Sequence, residues 1–161
     1  MKENTIQAES LIPHRRAMKL LDRVVNPGHN GLQAETTVAE SWPLARAGSV
    51  SSLLCIELVA QAISALSTWR RGKEARPRPG LLVGIKEAQF FVASLTIGTI
   101  VKIHVERLYH LGNYAVFMGQ VSSGSTLLCV ATLQVMEPEG EDFLSFLNAR
   151  DSYSDEKAEE H

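Results

Sequence analysis

Cysteine is scarce in this chain of 161 residues: only Cys55 and Cys129 are present, each inside an apolar run, with no C-x-x-C spacing and no histidine at metal-ligand distance. That argues against a disulfide framework and against a zinc site, and leaves two buried structural thiols. Long hydrophobic runs are missing too. Met1 to Ser10 holds no apolar stretch that could form a signal-peptide core, and the greasiest segment is broken by Glu57, Gln61 and Ser64, so a cytoplasmic protein with no membrane span is expected. An excess of base is also lacking. The formal charge of -2 gives no support for nucleic-acid binding. No internal repeat or low-complexity block is visible, and nothing in the chain asks for a metal or a cofactor. What remains is an ordinary globular composition, 45% hydrophobic and 21% charged, of a length that suits one domain.

The pattern along the chain is mostly that of strands. Ala17 to Val25 reads as a strand ending at the turn formers Asn26-Pro27-Gly28-His29-Asn30-Gly31. Leu32, Ala34, Thr36 and Val38 then alternate with Gln33, Glu35, Thr37 and Ala39, which predicts a second strand paired with the first. Ser41 to Gly48, with Pro43, reads as loop. A helix follows, capped by Ser51 or Ser52, running to about Arg71 and stopped by Gly72. Beyond a charged connector come four strands: Leu81 to Phe91, Thr99 to Tyr109, Tyr114 to Ser122 and Thr126 to Met136. In the second of these Val101, Ile103 and Val105 alternate with Lys102, His104 and Glu106, which puts His104 on the surface. The domain is expected to span residues 1–137. Residues 138–161 form a C-terminal extension, with Phe143, Leu144, Phe146 and Leu147 suited to a short docking helix and the end expected to be disordered.

The helix carries the most informative residue. In Leu53-Leu54-Cys55-Ile56-Glu57-Leu58-Val59-Ala60-Gln61-Ala62-Ile63 a single carboxylate interrupts an apolar surface, and a helix apolar on all sides is normally buried on all sides. An ionised carboxylate removed from water is costly unless it is paired or protonated. Glu57, Gln61 and Ser64, at i, i+4 and i+7, form one polar stripe. The stripe either meets polar backbone or water at a seam, or it faces a pocket in which a carboxyl can serve as general acid or general base. An antiparallel sheet wrapped around a long helix covers only part of it, so a second copy is expected to complete the cover.

Three motifs in order resemble one family. Leu11-Ile12-Pro13-His14-Arg15-Arg16-Ala17-Met18-Lys19-Leu20-Leu21-Asp22-Arg23-Val24 is similar to the "L-P-H-R-x-P-M-x-L-L-D-R-V" opening of the hotdog-fold 3-hydroxyacyl acyl-carrier-protein dehydratases. Glu57-Leu58-Val59-Ala60-Gln61-Ala62 resembles their "E-x-M-A-Q-A" helix motif, and Leu82 to Phe90 the strand after it. The resemblance spans about Leu11 to Met136. It implies an α+β hotdog fold, an antiparallel β-sheet wrapped around one long central α-helix, paired as a dimer with active sites at the interface. It also implies a reaction. A loop histidine, contributed across the dimer, removes the α-proton of a 3-hydroxyacyl thioester, and the helix acid protonates the departing hydroxyl. Glu57 matches that acid. In the same family the helix N-terminus steadies the thioester oxygen, which assigns Gly48, Ser49 and Val50, with Gln61 and Ser64, to substrate binding.

The histidine is where this chain departs. The family's "G-H-F-P-G-x-P-x-x-P-G" loop is represented by Glu40-Ser41-Trp42-Pro43-Leu44-Ala45-Arg46-Ala47-Gly48, with Ser41 where the histidine would stand. The loop, together with Arg78-Pro79-Gly80, resembles the dehydratase-like proteins of aryl-polyene biosynthesis most. His14 is then the remaining candidate histidine, as a catalytic group or as part of a structural turn. Arg70, Arg71, Lys73, Arg76 and Arg78 either compensate the helix dipole or dock an acidic acyl carrier protein. The readings in order are a dehydratase of acyl carrier protein thioesters, a hotdog thioesterase, and a non-catalytic subunit that completes a heterodimer. Ser41 as a nucleophile is the weakest, because no base adjoins it.

Overall fold

The computed structural model describes residues 4–137. The expected extension 138–161 and its docking helix lie outside the described residues. The elements are β1 (Thr5–Gln7), β2 (Arg23–Val25), β3 (Gly31–Thr37), β4 (Ala45–Arg46), β5 (Ser49–Ser51), α1 (Leu54–Arg71), β6 (Leu81–Phe90), β7 (Ser94–Thr96), β8 (Ile100–Leu111), β9 (Tyr114–Ser123) and β10 (Thr126–Met136). Seven strands form one sheet in the order β1-β2-β3-β8-β9-β10-β6, and β4, β5 and β7 form a small second sheet. Every pairing is antiparallel. The large sheet curls around α1, which lies against β8 and β9 with β3 and β10 flanking. This is the hotdog architecture.

The alternation read from the sequence sets which face turns inward. In β8, Val101, Ile103 and Val105 are buried while Lys102, His104 and Glu106 are exposed. In β9, Ala115, Phe117 and Val121 are buried, and Cys129, Ala131 and Leu133 of β10 join them in one core with Leu58, Ala62, Ala65 and Leu66 of the helix. Cys55 and Cys129 are both free and buried. They adjoin each other across the helix–sheet contact, and the Cys129 thiol together with burial raises the Cys55 thiol pKa far above its ordinary value.

The helix approaches the sheet closely at Gly119, where an added Cβ would overlap the two γ-methyl groups of Val59. Val59 sits two residues from Glu57, so the absence of a side chain at Gly119 fixes how deep the acid-bearing turn lies. Gly119→Ala is expected to cost about 1–3 kcal/mol, in the range of overpacked cores. Urea unfolding checks this; a midpoint equal to that of the wild type would show that the helix can lift at no cost.

Three expectations need correction. The stretch Ala17 to Val25 is a strand only over its last three residues, Arg23–Val25; Arg16–Met18 is a 3-10 turn. The backbone there is held by a side chain instead of a strand: Gln61 Oε1 accepts from Leu20 N–H at 3.0 Å, and Gln61 Nε2 donates to Met18 C=O at 2.7 Å. The loop 41–48 contains a strand, Ala45–Arg46, paired with Ser49–Ser51 and so with the small sheet. Neither Ser51 nor Ser52 caps the helix. Leu53 occupies the cap without a side-chain bond, although Leu53 N–H reaches Ser51 Oγ at 3.4 Å. The stop is as read: Gly72, with φ 107°, takes the left-handed turn that a Cβ would disfavour.

One face of α1 is not covered by the described residues. Leu53 is exposed and Ile56, Glu57, Ala60, Ser64 and Ser67 are half-buried, whereas the opposite face is buried throughout. The edge strand β6 has the same property: Leu81, Leu82, Val83 and Ile85 are all exposed. No helix among the described residues is long and apolar enough to cross a membrane.

Candidate active site

The N-terminal motif is strapped over the helix by its own apolar side chains. Ile12, Leu20 and Leu21 are buried in the core, which holds Pro13-His14-Arg15 as a bridge between them. Arg15 Nη1 donates to Ile12 C=O at 2.7 Å and to His14 C=O at 2.8 Å, and Thr36 Oγ1 donates to Leu20 C=O at 2.5 Å. This geometry turns His14 toward the uncovered face of α1. His14 Nε2 stands 3.4 Å from Glu57 Oε1, with the two side chains 29% and 32% exposed. The helix acid and the motif histidine are therefore brought together within one chain, although 43 residues separate them in sequence.

Gln61 completes the arrangement. It is wholly buried, and besides its two backbone bonds Nε2 donates to Glu57 Oε1 at 2.9 Å. The stripe read from the sequence thus divides in two: Gln61 turns inward as a brace, while Glu57 and Ser64 line a cavity of about 240 Å³. The walls are Ala60, Ile63, Leu81, Leu82, Val135 and Met136, mostly apolar, and Arg71 and Arg78 stand at the far end. Ser64 Oγ and His14 Nδ1 are buried with no hydrogen-bond partner among the described residues. Ser67, three residues after Ser64 and on the same stripe, also lines the cavity. The helical spacing that selected Ser64 would have selected it.

Burial lowers the His14 pKa below the ordinary imidazole value; the Glu57 carboxylate opposes this and Arg15 adds to it. His14 is thus neutral at neutral pH and able to accept a proton at Nε2. Gly48, Ser49 and Val50 lie elsewhere. They form the turn and strand of the small sheet, Val50 is buried against it, and none of the three lines the cavity. Ser41 is exposed and also lies outside the cavity lining. Among the basic residues, Arg71 and Arg78 line the cavity, Lys73 and Arg76 are on the connector, and Arg71 Nη1 ties the connector down through Arg76 C=O at 2.9 Å. The net charge hides this concentration of base, because nine of the 18 acidic residues lie from Glu137 onward. Among the described residues no group of three or more His, Cys, Asp or Glu side chains could hold a metal ion.

A carboxyl and a neutral imidazole side by side at the open face of a hotdog helix, at one end of an apolar groove, are suited to moving protons on a bound acyl group. Comparison with known proteins points the same way. A chain of the dehydratase heterocomplex ApeI:P from Xenorhabdus doucetiae is 27% identical, with a TM-score of 0.78, the match covering 89% of this chain and 98% of that one. Two more distant structures share the fold. One is a hypothetical thioesterase protein from Streptococcus pneumoniae solved with coenzyme A, at 16% identity and TM-score 0.55, covering 70% of this chain and 82% of that one. The other is the uncharacterized protein PH1136 from Pyrococcus horikoshii, at 12% identity and TM-score 0.62, covering 86% and 98%. No curated relative matches at a significant level. The family model for ApeP-like proteins, described as ApeP dehydratase, matches residues 6–148, which take in the histidine strap, the acid-bearing helix and every strand of the sheet after β1; the chain belongs to the ApeP-like dehydratase family.

Proposed function

We propose that this chain dehydrates 3-hydroxyacyl thioesters carried on acyl carrier protein, in polyene biosynthesis, with His14 as base and Glu57 as acid. The observation that carries the reading is the 3.4 Å separation of His14 Nε2 and Glu57 Oε1 beside an apolar cavity. His14 Nε2 takes the α-proton, the C–O bond to the β-hydroxyl breaks, and Glu57 supplies the proton with which it departs as water. A trans-2-enoyl thioester remains. Imidazolium and carboxylate are then left facing each other, and transfer of one proton from His14 to Glu57 resets the pair. This reading assigns to His14 of the strap the base role that Ser41 of the loop cannot fill.

A second subunit fits the same reading. The uncovered helix face and the exposed apolar edge strand β6 flank the cavity, and an unpaired apolar edge invites another strand. The ApeI:P relative is a heterocomplex. We assign this chain a hotdog partner across β6, a homodimer or a heterodimer, in a cytoplasmic setting. Arg71, Arg78, Lys73 and Arg76 form the docking rim for the acidic carrier.

The test is to incubate the purified protein, alone and with a candidate hotdog partner, with 3-hydroxyacyl and with saturated acyl carrier protein thioesters. Enoyl product from the first supports the proposal. Free thiol without enoyl product would make the protein a thioesterase, and no product in either setting would make it a non-catalytic subunit.

The depressed His14 pKa fixes a pH dependence. The rate is expected to rise with pH through a pKa below 6.5 and to be level by neutrality on that limb. Stability moves in the same direction. Between the folded and unfolded His14 pKa values the unfolded chain binds more protons, so unfolding free energy falls as pH drops below 6.5. His14→Gln should remove both limbs. A pH-rate profile unchanged in that variant would take the base role from His14.

A further inference from the structure

A second cavity lies beyond Arg71, between the C-terminal turn of α1 and the β8–β9 hairpin. It has a volume of about 200 Å³ and is lined by Ser67, Arg70, Arg71, Arg107, His110 and Glu137, among others. Three guanidiniums from two elements distant in sequence converge there. Among the described residues none of them has a carboxylate within 4.0 Å. Arg71 is partly engaged through Arg76 C=O and Thr68 Oγ1, and Arg107 Nη2 donates to Asn30 Oδ1 at 3.3 Å. Arg70 has less: its Nε is buried with no hydrogen-bond partner among the described residues. Burial and the charge of Arg107 depress the Arg70 pKa, burial and Arg78 depress that of Arg71, and Glu137 opposes both. A cluster of like charges around a space of this size, with an unpartnered guanidinium N–H, has the chemistry to bind an anion.

The position of the site says which anion. Both cavities share Ser67, Arg71 and Glu137, so the groove that begins at Glu57 continues into the arginine cluster. From Glu57 to Arg70 the helix rises by about 20 Å at ~1.5 Å per residue. A pantetheine arm, comparable to about five extended residues at ~3.5 Å each, spans about 18 Å from thiol to phosphate. We propose that the cavity formed by Arg70, Arg71, Arg107 and His110 seats the phosphate of the substrate's pantetheine arm, placing the thioester beside His14 and Glu57. The proposal rests on the carrier-thioester reading above and adds to it a site on β8 that no sequence motif marked.

The test compares 4'-phosphopantetheine, pantetheine and inorganic phosphate as ligands of the full-length protein by isothermal titration at low salt. Phosphopantetheine should bind at least tenfold more tightly than pantetheine, and the preference should narrow as salt is raised. Arg107→Gln should bring the two affinities to within twofold while leaving that for pantetheine unchanged. His110→Gln, at an exposed position, should reduce the preference two- to fivefold and guards against a folding defect in the first variant. Equal binding of both ligands by the wild type, or a full preference in Arg107→Gln, overturns the site. Inorganic phosphate binding as tightly as phosphopantetheine would make it a site for free phosphate and overturn the link to the arm. Failure of the catalytic reading looks different: phosphate preference with no enoyl product would leave the site standing and remove the dehydration.

Discussion

Glu57→Gln is expected to lower turnover of a 3-hydroxyacyl carrier thioester by about 10²- to 10⁴-fold, the usual worth of a positioned proton donor. The change removes one ionisable group and little else. Glutamine has the same length, and its Oε1 can still accept from Gln61 Nε2, which now reaches Glu57 Oε1 at 2.9 Å. The side chain is about one-third exposed, so the unfolding midpoint should stay close to that of the wild type. Because the acid acts on the leaving hydroxyl in the transition state, the loss should fall on kcat and not on KM. If kcat stayed above half the wild-type value, the acid would have to be another group.

The sequence made Glu57 conspicuous for a reason that the structure alters. A charge in an apolar helix suggested complete burial, whereas Leu53, Ile56 and Ala60 share the uncovered face with Glu57 and the carboxylate is partly solvated in the single chain. Periodicity gave the long strands, because in β8 and β9 each inward residue contributes to one core and the pattern has no other explanation. It could not give β1, β4, β5 or β7. Each has three residues or fewer, too short for a period of two to stand out, and β1, β5 and β7 depend on partners distant in sequence, as Val50 does on Leu95. The pairing of His14 with Glu57 was beyond local pattern for the same reason. It arises because Ile12, Leu20 and Leu21 are buried and Gln61 holds the strap, facts of tertiary packing. Arg107 and His110 lie in a strand whose alternation reads only as surface, and their meeting with Arg70 required the helix end and the hairpin to be placed together.

Gln61→Leu should be strongly destabilising and, unlike a simple core defect, should also disable the site. Gln61 is wholly buried and makes three hydrogen bonds: from Leu20 N–H, to Met18 C=O and to Glu57 Oε1. Leucine has a similar volume but leaves the Leu20 amide without an acceptor in a region where Leu20 itself is 1% exposed. A buried donor left unsatisfied costs about 1–3 kcal/mol, and with the Met18 carbonyl also released a total of about 2–4 kcal/mol is expected. The strap bearing His14 then loses its tie to the helix bearing Glu57. Since misplacement of a catalytic group by about 1 Å can cost roughly 10²-fold, kcat should fall by about 10- to 100-fold at temperatures where the variant is still folded. Leu66→Ala supplies the control: Leu66 is fully buried on the sheet-facing side of the same helix, its truncation should cost about 2–5 kcal/mol, and its side chain makes none of the hydrogen bonds that tie strap and acid together. Equal destabilisation with kcat lost only in Gln61→Leu would make Gln61 a positioning residue. Loss of kcat in proportion to stability in both variants would reduce it to a packed polar side chain, and the strap would then have to hold His14 in place by its apolar anchors alone.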